Sequence, residues 1–345
     1  MRRLGLSRVA LAAVLAVAGA APLAAQELTV LLNPKSVDNP FFLDARDGCQ
    51  TGAKQFKVKC EFNGTTESDI GKQVQFLENR LSSGNLSCAA ISANDSAPLV
   101  PVIEKYEATG VPVITWDSDV NGSKRRAFIG IDSKDAGRQA GQLFVKFFPP
   151  SYKPKGGGAK IQVAIGTGGL GAPNLNDRIA GFREVIDKDG RFQVVSGSPF
   201  PDDDDVGKAI KVLQDVLAAN PKLDGFFIAN TLVYFSPAFA STLKAAGRVK
   251  ADGSSDLVHV GFDPTSASVP LVAKGLVSGL VAQPPVEYGR LSVELCTKIV
   301  QSKLKITPAM THGATRPDGA PWFKTPTFTV TKENARKRFP QYFKG

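Results

Sequence analysis

Three glycines in the stretch AKIQVAIGTGGLGAPNLNDRIAGFREVI, Gly166, Gly168 and Gly171, stand at the G-x-G-x-x-G spacing that lets a backbone approach a dinucleotide pyrophosphate. The chemistry would be cofactor binding and hydride transfer. Three departures oppose it. A dinucleotide motif follows the first strand of its unit, carries its third glycine into the helix, and meets an acidic residue about 20 positions later. Here the first strand candidate runs instead into NPKSVDNPFF, Pro173 and two asparagines separate Gly171 from the helical pattern, and the next strand-like run, FQVVSGS, ends without an acid. With 33 glycines in the chain, this spacing also arises by chance.

Other chemistries are equally poorly served. The two histidines, His259 in a strand-like run and His312 in a loop, have no nucleophile beside them, and no C-x-x-C accompanies the four cysteines, so neither catalysis nor a metal is expected. Cys49 and Cys60 fall on a helix and on the strand after it, and a Cys49–Cys60 disulfide is expected in an oxidising compartment.

The residues that remain are polar ones at strand ends. Apolar runs such as LTVLLN, VPVITWDSD, IQVAIGTG, DGFFIAN, LVHVGFD and GLVAQ alternate with helical patterns. The pattern Ile70, Val74, Leu77 and Leu81 predicts a helix over 68–81, and Ile179, Phe182 and Ile186 predict one over 176–186, with Asp177 and Arg178 in its first turn. Repeated β-α units predict parallel sheets with helices on both faces, and the strands divide into two sets of about five, one doubly wound sheet each. The strand ends carry Asn33, Asn63, Asn94, Asp117 and Asp132, then Thr167, Ser198, Asn230, Asp263 and Gln283. Ligands of open parallel sheets bind beyond these ends. Planar amide and carboxylate groups there suit a neutral, hydroxyl-rich ligand, although Asn63, Asn94 and Ser198 are explained as ordinary helix and turn caps.

The chain opens MRRLGLSRVALAAVLAVAGAAPLAAQ: three arginines, an alanine-rich apolar run and small residues suited to cleavage after Ala20 or Ala25. A signal peptide over 1–25 and export to a periplasm are expected. The formal charge of +10 becomes +7 without Arg2, Arg3 and Arg8. The remaining basic residues cluster only at Lys124, Arg125 and Arg126 and at Arg336, Lys337 and Arg338, which reads as a solvated basic surface and not a nucleic-acid footprint. About 320 residues exceed what one core usually serves, so two domains are expected.

The string VDNPFFLDARDGCQTGAKQF resembles the start of type I periplasmic sugar-binding proteins, the ribose-binding group of ABC-transporter receptors. AISANDSAPLVPVIEKYEATGVPVITWDSD, IGIDSKDAGRQAG, GAPNLNDRIAGFREVI, NPKLDGFFIAN, HVGFDPT and GLVAQPPVEYG extend the resemblance in colinear order. It implies two doubly wound lobes joined by three hinge crossovers, near Ile131, near Pro284 and within residues 311–320. One lobe would hold residues 27–131 and 284–312, the other 132–283 and 313–345. It further implies a monomeric, cofactor-free receptor that closes on a sugar and delivers it to an ABC permease. Asn39, Phe41 and Phe42 would meet the sugar from one lobe with Asp117; Arg178, Asn230, Asp263 and Gln283 would do so from the other side. A receptor for a sugar-like or autoinducer-type signal would use the same scaffold.

The chain also departs from the ribose-binding pattern. Asp117-Ser118 replaces Asp-Arg, Asn230-Thr231 replaces Asn-Asp, and the run Asp202 to Asp205, read as a solvated loop, stands where an aromatic residue would clamp the sugar. Trp116 or Tyr234 would have to supply that ring. These departures turn the expectation from ribose towards hexoses, other pentoses or polyols.

Overall fold

The computed structural model describes residues 27–343; the expected signal peptide lies outside the described residues. Among the described residues, thirteen strands form two sheets. The first holds β1 (Thr29–Asn33), β2 (Lys59–Phe62), β3 (Cys88–Ile91), β4 (Val113–Trp116), β5 (Phe128–Gly130) and β12 (Trp322–Lys324), in the order β12-β5-β4-β3-β1-β2. The second orders β13 (Phe328–Thr331), β11 (Gly279–Ala282), β10 (Val258–Phe262), β9 (Gly225–Ile228), β6 (Ile161–Thr167) and β7 (Phe192–Val194), with the short β8 (Phe200–Pro201) beside β6. Every pairing is parallel except β13 against β11. With the short β8 left out of the numbering, the first five strands of each sheet share the order 2-1-3-4-5, a doubly wound sheet whose ligand crevice lies outside the carboxyl ends.

The helices are α1 (Pro40–Phe56), α2 (Ile70–Ser82), α3 (Leu99–Ala108), α4 (Ser133–Lys146), α5 (Pro173–Asp189), α6 (Val206–Ala219), α7 (Phe239–Ala245), α8 (Ser268–Ala273), α9 (Pro285–Gln301) and α10 (Lys332–Arg338). α1 with α9 and α4 with α5 form two tight pairs, and the first turns of α1 and α5 reach the crevice. Glycine makes both possible: a Cβ on Gly137 would lie 2.1 Å from the carbonyl oxygen of Arg178, and one on Gly289 would lie 1.8 Å from that of Ala45. Backbone-to-backbone contact of this kind fixes where α5 carries Arg178. Disulfides Cys49–Cys60 and Cys88–Cys296 staple α1 to β2 and β3 to α9, so the expected pair is present along with a second that the sequence did not suggest.

The chain passes between the sheets three times, after β5, after β11 and between β12 and β13. The third passage corrects the expected boundary. Residues from 313 were expected with the second lobe, yet Trp322 and Lys324 pair with Phe128 and Gly130 of the first sheet. Charge holds that segment there: the buried Arg125 guanidinium donates to Asp119 and to Asp318, both at 2.7 Å, and Arg316 Nε donates to Asp119 at 2.9 Å. Arg125, expected on a solvated basic surface, is therefore 4% exposed inside an ion-pair network. A second correction concerns α5, which starts at Pro173 and not near 176. Proline is well suited to a first helical position because its missing N–H has no intrahelical partner. Arg178 accordingly lies in the second turn.

Candidate functional site

The carboxyl ends of the sheets meet at a narrow cavity with about 30 Å³ of free space. All eight residues singled out from sequence line it: Asn39, Phe41, Phe42, Asp117, Arg178, Asn230, Asp263 and Gln283. Asn39 caps α1, its Oδ1 accepting from Phe41 N at 3.0 Å, which leaves its amide N–H₂ for other work. With Pro40 opening the helix, Phe41 and Phe42 fall within its first turn and are both buried, edge to face at 5.1 Å between centroids. Consecutive helical residues can share one wall here because Trp116 and Tyr288 pack behind them.

Asp117 and Asp263 project from the ends of β4 and β10. Asp117 Oδ2 accepts from Ser92 Oγ at 2.8 Å; Asp263 Oδ1 accepts from Gln283 Nε2 at 2.9 Å, while Gln283 Oε1 accepts from Tyr288 O–H at 3.1 Å. Burial pushes the Asp263 carboxyl up to about 6, against the pull of the Arg178 charge and the Gln283 hydrogen bond. Arg178 lies with its guanidinium 4.1 Å from the Phe262 ring centroid and donates from Nη1 to Ala229 O at 2.9 Å. Its Nε and Nη2 are buried with no hydrogen-bond partner among the described residues, and Asn230 Oδ1 and Thr231 Oγ1, on residues that also line the cavity, share that condition. Buried polar groups are ordinarily paired, and an orphan costs about 1–3 kcal/mol, so this convergence points to something polar that completes the cavity.

Six lining residues were not singled out from sequence: Lys35, Asn174, Leu175, Asp204, Thr231 and Leu232. Lys35, 4% exposed, donates from Nζ to Asn174 Oδ1 at 3.0 Å, and Asn174 Nδ2 donates to Asp117 Oδ1 at 3.3 Å. Asn174 at the start of α5 is thereby held by two residues of the first lobe. The visible signal was position: Lys35 precedes the Asn-Pro-Phe-Phe string, and Asn174 sits inside another string that carried the resemblance.

Three expectations are corrected. Trp116 is fully buried with its Nε1 donating to Ala90 O at 3.2 Å, and the Tyr234 hydroxyl is spent on His259 Nδ1 at 3.0 Å, so neither ring reaches the cavity. The run Asp202 to Asp205 is a solvated loop only in part: Asp203 and Asp205 are exposed, Asp205 capping α6, but Asp202 is 1% exposed and Asp204 lines the cavity. Burial, with the neighbouring Asp204, pushes the Asp202 carboxyl up to about 8. The glycine motif also acquires a definite environment. A Cβ on Gly168 would meet the Asp204 carboxylate, and one on Gly171 that of Asp95. Acceptors and negative charge thus face the loop where a pyrophosphate would need donors. Among the described residues, no cluster of three or more His, Cys, Asp or Glu side chains is arranged to hold a metal, and no helix is long and apolar enough to cross a membrane.

A family model described as a periplasmic binding protein domain matches residues 30–304. The ribose import binding protein of Bacillus subtilis is 26% identical over 280 residues, covering 81% of this chain and 83% of its own. The D-allose-binding periplasmic protein of Escherichia coli is 26% identical over 309 residues, covering 87% and 90%. Among solved structures, an ABC transporter solute-binding protein from Burkholderia graminis in complex with D-arabinose is 28% identical with a TM-score of 0.74, covering 90% of this chain and 96% of that one.

Proposed function

Because the chain belongs to the periplasmic binding protein family, we propose that it captures a monosaccharide or related polyol between its lobes and hands it to an ABC-type permease. One observation carries this reading: the cavity presents donors on Arg178 and one acceptor on Asn230 that are unpaired among the described residues, within a few side chains of two phenylalanine rings. A hydroxyl both donates and accepts, and a sugar couples such hydroxyls to C–H faces that pack on aromatic rings. Relatives named for ribose and allose, and a structural neighbour holding arabinose, support the substrate class.

Capture would work by closure. Lys35 and Asp117 of the first lobe already hold Asn174 of the second, and a ligand bonded to Asp117 on one side and to Arg178 and Asp263 on the other adds further bridges. Differential affinity for the closed form shifts the hinge equilibrium. The permease then reads a joint surface that only the closed form presents. Export follows from the arginine-led, alanine-rich N-terminal sequence, which we assign as a cleaved signal peptide.

A thermal-shift screen of the mature protein tests the reading. Ribose, allose, arabinose and alditols are offered beside autoinducer-type furanones and NAD. A ligand at 100 times its Kd adds about 2.7 kcal/mol, so one carbohydrate should raise Tm clearly. A shift with a furanone alone transfers the assignment to signalling, and silence from all carbohydrates removes it.

A further inference from the structure

The second-lobe wall of the cavity contains no aromatic ring: Phe41 and Phe42 belong to the first lobe, and Phe262 is covered by the Arg178 guanidinium. In place of a ring stand Asp204 and, behind it, Asp202. Asp202 is fixed at both ends, its backbone N–H donating to Thr167 O at 2.8 Å and its Oδ1 accepting from Asp204 N at 2.8 Å. Asn230 Nδ2 donates to both oxygens of Asp202, at 3.0 and 3.1 Å, and to Asp204 Oδ1 at 3.0 Å. The N–H₂ end of that amide is committed to carboxyl groups. Its Oδ1 therefore faces the other way, buried and without a partner among the described residues. Turning the amide over would set its oxygen about 3 Å from an Asp204 oxygen, a contact between two acceptors.

We propose that Asp204 is the specificity-determining residue of this cavity and Asp202 its positioning partner. Together they turn the Asn230 carbonyl inward, so that Asn230 Oδ1 and the Asp204 carboxylate present two adjacent acceptors, which selects a sugar or polyol with two adjacent free hydroxyls at that place. The inference rests on the carbohydrate-capture reading above. Hydroxyls are the groups that satisfy it: each donates to Asn230 Oδ1 or to Asp204 while accepting from the free Nε and Nη2 of Arg178. A deoxy position there leaves a buried acceptor unpaired, and a carboxylate there meets negative charge. A flat C–H face finds no ring. Hydrogen-bonding sites reject analogues lacking the hydroxyl far more strongly than apolar pockets reject a missing methylene. Burial and the Asp204 charge raise the Asp202 carboxyl to about 8, which reduces the charge the pair carries at neutral pH and allows two carboxyl groups to share this corner.

Calorimetric titration with D-ribose, D-allose and D-arabinose, and with the monodeoxy derivatives of whichever binds, tests the inference against wild type, Asp204→Gly and Asp204→Asn. Asp204 has φ 54°, so glycine and asparagine are substitutions its backbone tolerates. At two adjacent ring or chain positions, losing a hydroxyl should weaken wild-type binding at least tenfold. The same losses should fall below about threefold in Asp204→Gly. Asp204→Asn, which offers an N–H₂ in place of an acceptor, should bind the parent sugar at least tenfold more weakly. Unliganded melting curves check the fold, and if the glycine variant melts early, the asparagine variant carries the comparison. Equal losses in variant and wild type, or no adjacent pair of sensitive positions, overturns the inference and leaves carbohydrate capture standing. A wild type that binds none of the three parent sugars and none of the alditols of the thermal-shift screen overturns both.

Discussion

Asp117 and Asp263 occupy equivalent places in the two lobes and share a left-handed backbone, φ 58° and φ 60°. Each follows the fourth strand of its doubly wound sheet, and each N–H donates to a carbonyl of the neighbouring fifth strand, Ile129 and Val281. Few residues other than glycine, asparagine and aspartate adopt this conformation readily, and here it turns both carboxylates into one cavity. Strain of this kind clusters at ligand clamps, where surrounding structure holds it in place.

Asp263→Asn keeps that backbone and removes the charge; Arg178→Ala removes the fork that faces it. Either change leaves buried partners unpaired and is expected to cost about 2–5 kcal/mol of binding, a loss of roughly 30-fold or more. Calorimetry with the sugar that shifts the wild-type melting curve measures it, alongside circular dichroism to establish folding. Near-normal affinity in a folded variant would remove that residue from the site.

Gly137→Ala probes the contact that places Arg178. An added Cβ lies 2.1 Å from the Arg178 carbonyl oxygen, so α4 and α5 must separate. Overpacking of this kind costs about 1–3 kcal/mol, so Tm should fall by several degrees and sugar affinity with it. Gly158→Ala, with nothing within 4 Å, serves as the control and should change neither. Equal behaviour of the two variants would disprove the contact.

The alternation of apolar runs with helical patterns made the two parallel sheets legible, because period and polarity are local properties of the chain. Strand-end polar residues marked the cavity for the same reason. What local pattern cannot convey is which face a short polar loop turns inward. Asp202 to Asp205 looked solvated because four consecutive acids usually are, and only the proximity of Asn230, 28 residues later, makes Asp202 a buried acceptor. Residues 313–324 were misplaced because ion pairs spanning almost 200 residues, such as Arg125 with Asp318, leave no periodic trace. The Cys88–Cys296 bridge, separated by 208 residues, was hidden likewise.

That same ion-pair network gives Asp119→Ala a definite consequence. It leaves the buried Arg125 guanidinium with Asp318 as its remaining carboxylate partner and frees Arg316, and losing one side of a buried ion pair costs up to about 3–5 kcal/mol. Hydrogen exchange should quicken over residues 313–324 more than over α10. Uniform acceleration along the chain would show that the network does not hold this segment in particular.

Both disulfides should protect all four cysteines from iodoacetamide without reductant, and peptide mapping should recover the pairs Cys49–Cys60 and Cys88–Cys296. Replacing Cys88 and Cys296 with alanine should lower stability by about 2–5 kcal/mol, since that bridge closes much the longer loop. Ready alkylation of any one cysteine would contradict the pairing.

Asp202 predicts how stability depends on pH. Its carboxyl is raised from 3.8 to about 8 in the folded protein, chiefly by burial and then by Asp204. Below about pH 4 the group is protonated folded or unfolded, and its full contribution is present. Between pH 4 and 8 the unfolded chain has released the proton that the folded chain still binds, so stability falls as pH rises, and the decline ends once the folded group ionises near 8. Asp263, raised to about 6, acts with the same sign over the lower part of that window. Asp202→Asn cannot ionise and removes the larger contribution, while its amide still accepts from Asn230. Urea midpoints should therefore drop from pH 5 to pH 8 by more in the wild type than in the variant. Parallel midpoints for the two proteins would mean that Asp202 is ionised in the folded state, and that the carboxyl pair carries both charges at neutral pH.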